Sequence, residues 1–273
     1  MMNIYDLHND FLTEIKGYKK QEKYIKKCKD QGLLNVCSSV WTTTMERRDA
    51  FGAIERAKYF SEHNDVDFAV EDLHFATTLD DVQKVADLDP IYVGFTWNDD
   101  NNLASGANGF GGLTEFGSAA VKVFETSGVQ IDTAHLNEKS FLEFSRVSEK
   151  PIFCSHSAIF SLKNHPRNLK DYQLKIIEET GGLFGLCLVS DFLTEDKRAN
   201  IDDVVKHIDY FVCGFGIDHI SVGSDFYGTS LHPKGISGYK TLLKVKNKLL
   251  SLGYAIEDVE KIFFKNAYDF FNK

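Results

Sequence analysis

The stretch IYDLHND, residues 4–10, joins a short strand-like apolar run to two ligand-type side chains, His8 and Asp10, at its C-terminal end. The pattern returns in DFAVED (67–72), VQIDTAH (129–135), PIFCSHS (151–157) and ISVGSD (220–225), which set Glu71, His135, His156 and Asp225 after apolar runs of their own. Strand ends drawn from such distant parts of a chain meet at one place in a (β/α)8 barrel, whose C-terminal mouth gathers the functional residues. The predicted fold class is therefore α/β, a (β/α)8 TIM barrel, with residues 1–273 forming one domain.

The rest of the chain agrees. Strand-like runs at 3–7, 33–40, 66–70, 91–95, 129–133, 151–154, 183–188 and 219–223 make eight strands. Helical patterns at 21–30, 49–63, 79–87, 115–127, 138–147, 169–180, 200–213 and 238–252 fill the gaps, and a last one at 256–272 closes the chain. Thr114 and Asn137 are placed to cap helix starts, and Gly128, Gly181 and Gly253 to take left-handed caps after helices. Strict alternation means a parallel sheet with right-handed crossovers. One Gly- and Asn-rich loop, 97–112, departs from the short connections elsewhere. Its position after strand four suits a mobile lid or substrate loop better than a disordered surface loop.

Composition narrows the function classes. An apolar fraction of 43% and a charged fraction of 26% describe a globular protein, and a net charge of −9 argues against a nucleic-acid partner. The Lys-rich segment 16–29 carries Tyr18, Tyr24, Ile25 and Cys28 and reads as a surface helix. Of the five cysteines, Cys37, Cys154, Cys187 and Cys213 lie in apolar runs and suit buried free thiols. Their odd number and lack of pattern predict a reducing cytoplasm, and the absence of a signal or a long apolar stretch predicts no membrane association.

Taken singly, each candidate has a bland reading: HxD in a surface loop, Glu71 as a helix-start acid, a lone histidine as a satisfied polar group. Their shared position argues for a metal site. Side chains at i and i+2 of a strand point the same way, so His8 and Asp10 can grip one cation. Glu71 could bridge two, and His135 with His156 would offer imidazole nitrogens to the second. Asp225 could then take a proton from water and return it to a leaving amine. Two divalent ions about 3.5–4 Å apart would polarise an oxygen and bring a bridging water toward hydroxide at neutral pH. The predicted class is a metal-dependent hydrolase. His63, His165, His207, His219 and His232 read as surface or structural residues, and His74 stays open.

The motifs DLHNDFL, VEDLH, GLTEFG, GVQIDTAHLN, PIFCSHSA, HPRNL and VGSDFYG, with KNAYDFF near the end, resemble those of the membrane dipeptidase (renal dipeptidase) family of the amidohydrolase superfamily. The resemblance runs from residue 5 to about residue 271. It implies two Zn²⁺ ions (other divalent metals also fit) and hydrolysis of small dipeptides by a metal-bridged hydroxide. By motif match, His8, Asp10 and Glu71 would hold one zinc, and Glu71, His135 and His156 the other. Asp225 would be the catalytic acid/base, and Arg167 would hold the substrate's terminal carboxylate. Trp97, in GFTWN, stands where many members carry a histidine near the scissile group, and Tyr227 replaces the second acid of DFDG. The alternatives are an amidohydrolase acting on another amide, lactam or N-acyl amino acid, and a non-catalytic metal-binding member. Oligomeric state is open, a homodimer included.

Overall fold

A computed structural model describes residues 2–272. Eight parallel strands close into a barrel in sequence order: β1 (Ile4–Asn9), β2 (Leu33–Trp41), β3 (Asp67–Glu71), β4 (Tyr92–Gly94), β5 (Gln130–Asp132), β6 (Phe153–Ser157), β7 (Leu183–Cys187) and β8 (Ile220–Gly223). Helices follow the strands. Two of them, Leu79–Asp87 and Glu138–Val147, begin and end where their apolar spacing places them. Thr114 and Asn137 cap as expected, their side chains accepting from the amides of Gly117 and Ser140. Gly128, Gly181 and Gly253 all take positive φ. Two short helices, Phe11–Glu14 and Ser190–Leu193, escape the sequence pattern because four residues are too few to show a period.

Strand alternation sorts the apolar residues into two layers. Tyr5, Leu7, Cys37, Ala69, Tyr92, Phe153 and Leu183 form one cluster, closed from below by Phe264, Phe270 and Phe271 of the last helical segment. Their sequence neighbours Ile4, Val36, Phe68, Val70, Val93, Cys154 and Phe184 pack outward, with helix residues such as Val82, Phe124 and Phe211. The first cluster fills the barrel interior, which is a packed core and not a channel. Cys213, expected to be buried, is exposed, whereas Cys28 is buried. The reason is helical phase: Cys213 falls off the stripe Val204, Val205, Ile208 and Phe211 that the helix Ile201–Phe215 buries.

Simple alternation fails at three points; one is in β2, between Leu33 and Asn35, and the other two bear on the site. Between the pairs Asp6↔Val36 and Asn9↔Ser38, β1 uses one residue more than β2. Between Cys154↔Phe184 and Ser157↔Leu186, β6 uses one more than β7. Each is a β-bulge, which re-aims the side chains beyond it. In β1, Leu7 packs into the inner cluster while the next residue, His8, still reaches Tyr92 on the barrel axis.

The barrel tolerates no side chain where β8 passes β6. A Cβ added to Gly223 would overlap the carbonyl of Ser155, which is backbone and cannot swing away. Gly223→Ala should lower stability by roughly 1–3 kcal/mol or more, as overpacking does. Urea unfolding measures this, and an unchanged midpoint would contradict the packing described.

Candidate metal centre and active site

The six residues named from the strand ends meet at the C-terminal mouth. His8 lies in β1 and His156 in β6, not after them, because both strands continue past their bulges. Asp10 directly follows β1, Glu71 ends β3, and His135 and Asp225 sit in the turns after β5 and β8. Asp225 and His135 adopt positive φ, 56° and 70°, a conformation uncommon for residues with a side chain. The Asp225 amide donates to the His8 carbonyl at 3.0 Å, which helps to hold its turn.

Distances within the cluster are short. His8 Nε2 is 3.4 Å from Asp10 Oδ2, 3.8 Å from Glu71 Oε2 and 3.9 Å from Asp225 Oδ1. The other Glu71 oxygen, Oε1, lies 2.8 Å from His135 Nε2 and 4.0 Å from His156 Nε2. Glu71 thus presents one oxygen to each side of the cluster. His135 Nε2 and His156 Nε2 are 3.0 Å apart. Among the described residues two groups have the spacing to hold a metal ion, His8–Glu71–His156 and His8–Asp10–Asp225, and they share His8.

Hydrogen bonds at the far ring nitrogens set the chemistry of the near ones. Tyr92 donates its hydroxyl proton to the Leu7 carbonyl (3.0 Å), so its oxygen accepts from His8 Nδ1 (2.9 Å). The Asn98 side-chain oxygen, assigned from the network, accepts from His135 Nδ1 (2.9 Å). Both imidazoles therefore turn an unprotonated Nε2 inward. His8 Nε2 is buried without a hydrogen-bond partner. Inward lone pairs beside carboxylates fit a divalent cation, and the mixed nitrogen and oxygen set suits such ions.

Asp10, Glu71, His135, His156 and Asp225 line a cavity of about 530 Å³ with Thr13, Trp41, Trp97, Arg167 and Phe192. Arg167 is buried, its Nη2 donating to His156 Nε2 at 3.0 Å and its guanidinium 5.6 Å from the Phe192 ring centre. Trp97 is on the wall, its ring 6.1 Å from that of His135 and edge-on to Trp41 at 5.5 Å. Register explains the pair, since Trp41 ends β2 directly beside Glu71. His165, grouped above with surface or structural histidines, also lines the cavity. Tyr92 and Trp41 are missed by sequence reasoning because an aromatic residue in a strand reads as core. Asn98 could have been found, since it follows Trp97 in the loop already singled out.

That loop is clipped down. Asn101 donates to the Phe95 carbonyl (2.7 Å), Asn102 to Ala76 (2.6 Å), and Asn137 to Gly109 and Gly111 (3.0 and 3.1 Å). Gly106 pairs with Leu136. Asn101 and Asn102 from within the loop and Asn137 from outside it act as backbone clips, and Phe110 projects at 96% exposure. Trp97, Asn98 and Asn108 place the loop on the cavity wall, as expected of a substrate loop.

The membrane dipeptidase (peptidase family M19) profile matches residues 40–273, so β1 with His8 and Asp10 precedes the matched stretch. An uncharacterized protein from the pqqA 5′ region of Klebsiella pneumoniae is 34% identical over 186 residues, 64% of this chain and 68% of that one. The dipeptidase tcpJ of Claviceps purpurea is 30% identical over 57% of this chain, an alignment that spans 37% of the relative. Among solved structures, the dipeptidase AC, a family M19 metallopeptidase, superposes with a TM-score of 0.90 at 21% identity, covering 99% of this chain and 98% of its own. A metallopeptidase from Rhodobacter sphaeroides, bound to a phosphinate mimic of L-Ala-D-Ala, gives 0.84 at 20% identity, covering 100% and 99%. No helix among the described residues is long and apolar enough to cross a membrane.

Burial governs protonation. It raises the carboxyl of Asp10 to about 7, of Glu71 to about 8 and of Asp225 to about 7, with Asp10 and Asp225 adding to Glu71 and Asp10 adding to Asp225. Burial first, then the nearby positive groups, holds His135 and His156 well below the ordinary imidazole value. Raised carboxyls keep protons in the folded chain that the unfolded chain has lost, so they add stability as pH falls from about 8.5 to about 6.5. Below about 6.5 the depressed imidazoles oppose this, because the unfolded chain then takes up protons first. Protein stripped of divalent cations should therefore unfold at lower urea near pH 8.5 than near pH 6.5, and added cation should stabilise most at the higher pH. Greater stability of the stripped protein at the higher pH would contradict the assignment.

Proposed function

The chain belongs to the membrane dipeptidase family, and from that premise we propose that it hydrolyses small dipeptides at a pair of zinc ions. One observation carries the substrate: a buried arginine, Arg167, on the cavity wall beside the paired ligand groups. Its guanidinium donates to His156 Nε2; a cation taking that lone pair would release the fork to a free carboxylate beside the cluster.

In this reading His8, Asp10, Glu71, His135 and His156 would hold the cations. Zinc matches the donor set of neutral imidazoles and carboxylates. The bound pair would supply Lewis acidity, polarising the scissile carbonyl and acidifying a water. Asp225 faces the same space from β8, where it takes a proton from the attacking water and returns it to the departing amine. Burial sets its carboxyl at about 7, which suits a group that must both accept and donate near neutral pH. Arg167 anchors the carboxylate end. The indoles of Trp97 and Trp41 narrow the cavity opposite, and Trp97 Nε1 can donate to a carbonyl but cannot change charge. The buried thiols of Cys28, Cys37, Cys154 and Cys187 support a reducing compartment.

Three variants test these roles. Asp225→Asn should keep its cations and lose about 10²–10⁴-fold in kcat; near-normal kcat would remove Asp225 from proton transfer, and loss of cations would make it a ligand. Arg167→Met should weaken use of free dipeptides by roughly 2–5 kcal/mol in kcat/KM. Dipeptide amides should be poor substrates of the native protein and nearly indifferent to the change. Equal cleavage of acids and amides by the native protein would transfer the activity to another amide. Trp97→Ala should shift kcat/KM toward Leu- and Phe-containing dipeptides at the expense of Gly- and Ala-containing ones, and an unchanged rank order would remove Trp97 from selectivity.

A further inference from the structure

Two fully buried carboxylates, Asp6 and Asp132, take no part in the proposed chemistry, yet each sits at one of the two bulges. Asp132 Oδ1 accepts from the amides of Ser155 (2.8 Å) and Ala134 (3.0 Å), and Oδ2 accepts from the Ser155 hydroxyl (2.5 Å). Asp6 repeats the pattern. Its Oδ1 accepts from the amides of Ser224 (2.7 Å) and His8 (3.3 Å), and Oδ2 from the hydroxyls of Ser224 (2.5 Å) and Tyr239 (2.7 Å). In both cases a strand carboxylate captures a serine across the sheet, and that serine immediately precedes a site residue, His156 or Asp225. The captured amides of Ser155 and His8 lie within the irregular stretches of β6 and β1, where the ladder cannot serve every amide. Burial pushes both carboxyls toward the neutral form, and the four donors on Asp6 and three on Asp132 work against it by favouring the carboxylate.

Ser155 adds a relay. Its hydroxyl proton goes to Asp132, so its oxygen, 2.7 Å from His156 Nδ1, accepts from that nitrogen. The other side of the ring agrees, since Arg167 donates to Nε2 and so meets a lone pair there. We propose that Asp132 and Asp6 are positioning residues: each pins a bulge, and Asp132, acting through Ser155, also fixes the His156 tautomer that turns its Nε2 lone pair toward the cluster. The inference rests on His156 being a cation ligand. Partners of this kind, one bond removed from a ligand, orient it and strengthen its hold.

The relay predicts a reversal. In Asp132→Asn the side-chain amide can donate to the Ser155 oxygen, freeing the serine proton for His156 Nδ1 and moving the imidazole proton to Nε2. ¹⁵N-histidine spectra of cation-stripped protein read this directly: His156 should be protonated at Nδ1 in the native chain and at Nε2 in Asp132→Asn. Ser155→Ala should lose the preference, and Ser155→Thr, which keeps the hydroxyl, should restore it. In competition with a chromophoric chelator, Asp132→Asn and Ser155→Ala should weaken Zn²⁺ binding by about 10–100-fold, with Ser155→Thr near native. An unchanged His156 tautomer, or unchanged Zn²⁺ affinity in Ser155→Ala, would overturn the assignment; if Asp132→Asn fails to fold, the two serine variants decide it. A native chain that binds no Zn²⁺ would instead overturn the reading of the centre itself.

Discussion

Three carboxylates and three imidazoles are buried within about one side-chain length of each other at the barrel mouth, and that crowding is the constraint on which the rest depends. Desolvation alone pushes Asp10, Glu71 and Asp225 toward neutrality and His135 and His156 away from charge. Groups all driven toward neutrality forgo ion pairing with one another, and His8 Nε2 has no hydrogen-bond partner among the described residues. Cations resolve the conflict, because each neutralises carboxylates while accepting the inward lone pairs. The site is in this sense unfinished without them, and the surrounding fold is arranged to hold it open.

The means of holding it are visible in the backbone. A regular eight-stranded barrel would send every second side chain to the axis, and the interior is already filled by Tyr5, Leu7, Tyr92 and Phe153. The bulges in β1 and β6 let a histidine face the mouth directly above that packed interior. Left-handed turns at His135 and Asp225 do the same for the residues after β5 and β8. Such conformations cost free energy and persist because several contacts over-determine them. The Asn98 contact to His135 and the Asp225 amide bond to the His8 carbonyl are examples. The barrel supplies rigidity, and its irregularities supply aim.

Much of this was legible in the chain. Apolar runs ending in His or acid located the strands and their order, and helix spacing fixed Leu79–Asp87 and Glu138–Val147 to the residue. The six clustered residues could be named because barrel topology forces strand ends together whatever their distance in sequence. Bulges could not be read, since one added residue leaves no compositional mark. For that reason His8 and His156 were expected after their strands and lie within them. In the loop 97–112 composition marks the segment but not its contacts: the side-chain amides of Asn101 and Asn102 bond backbone carbonyls outside any ladder. Nothing local distinguishes a histidine on a cavity wall, such as His165, from one on the surface. Cys213 was misplaced because an apolar run on an amphipathic helix is not buried all round.

The central claim is that paired cations at this cluster make the chain a dipeptidase. The most direct measurement is to strip divalent cations from the purified protein and titrate Zn²⁺ back while following cleavage of Gly- and Ala-containing L,L and L,D dipeptides. The account predicts no turnover in the stripped protein and recovery that reaches its plateau near two equivalents per chain. Turnover without added cation, or two equivalents bound with no dipeptide cleaved, would contradict it.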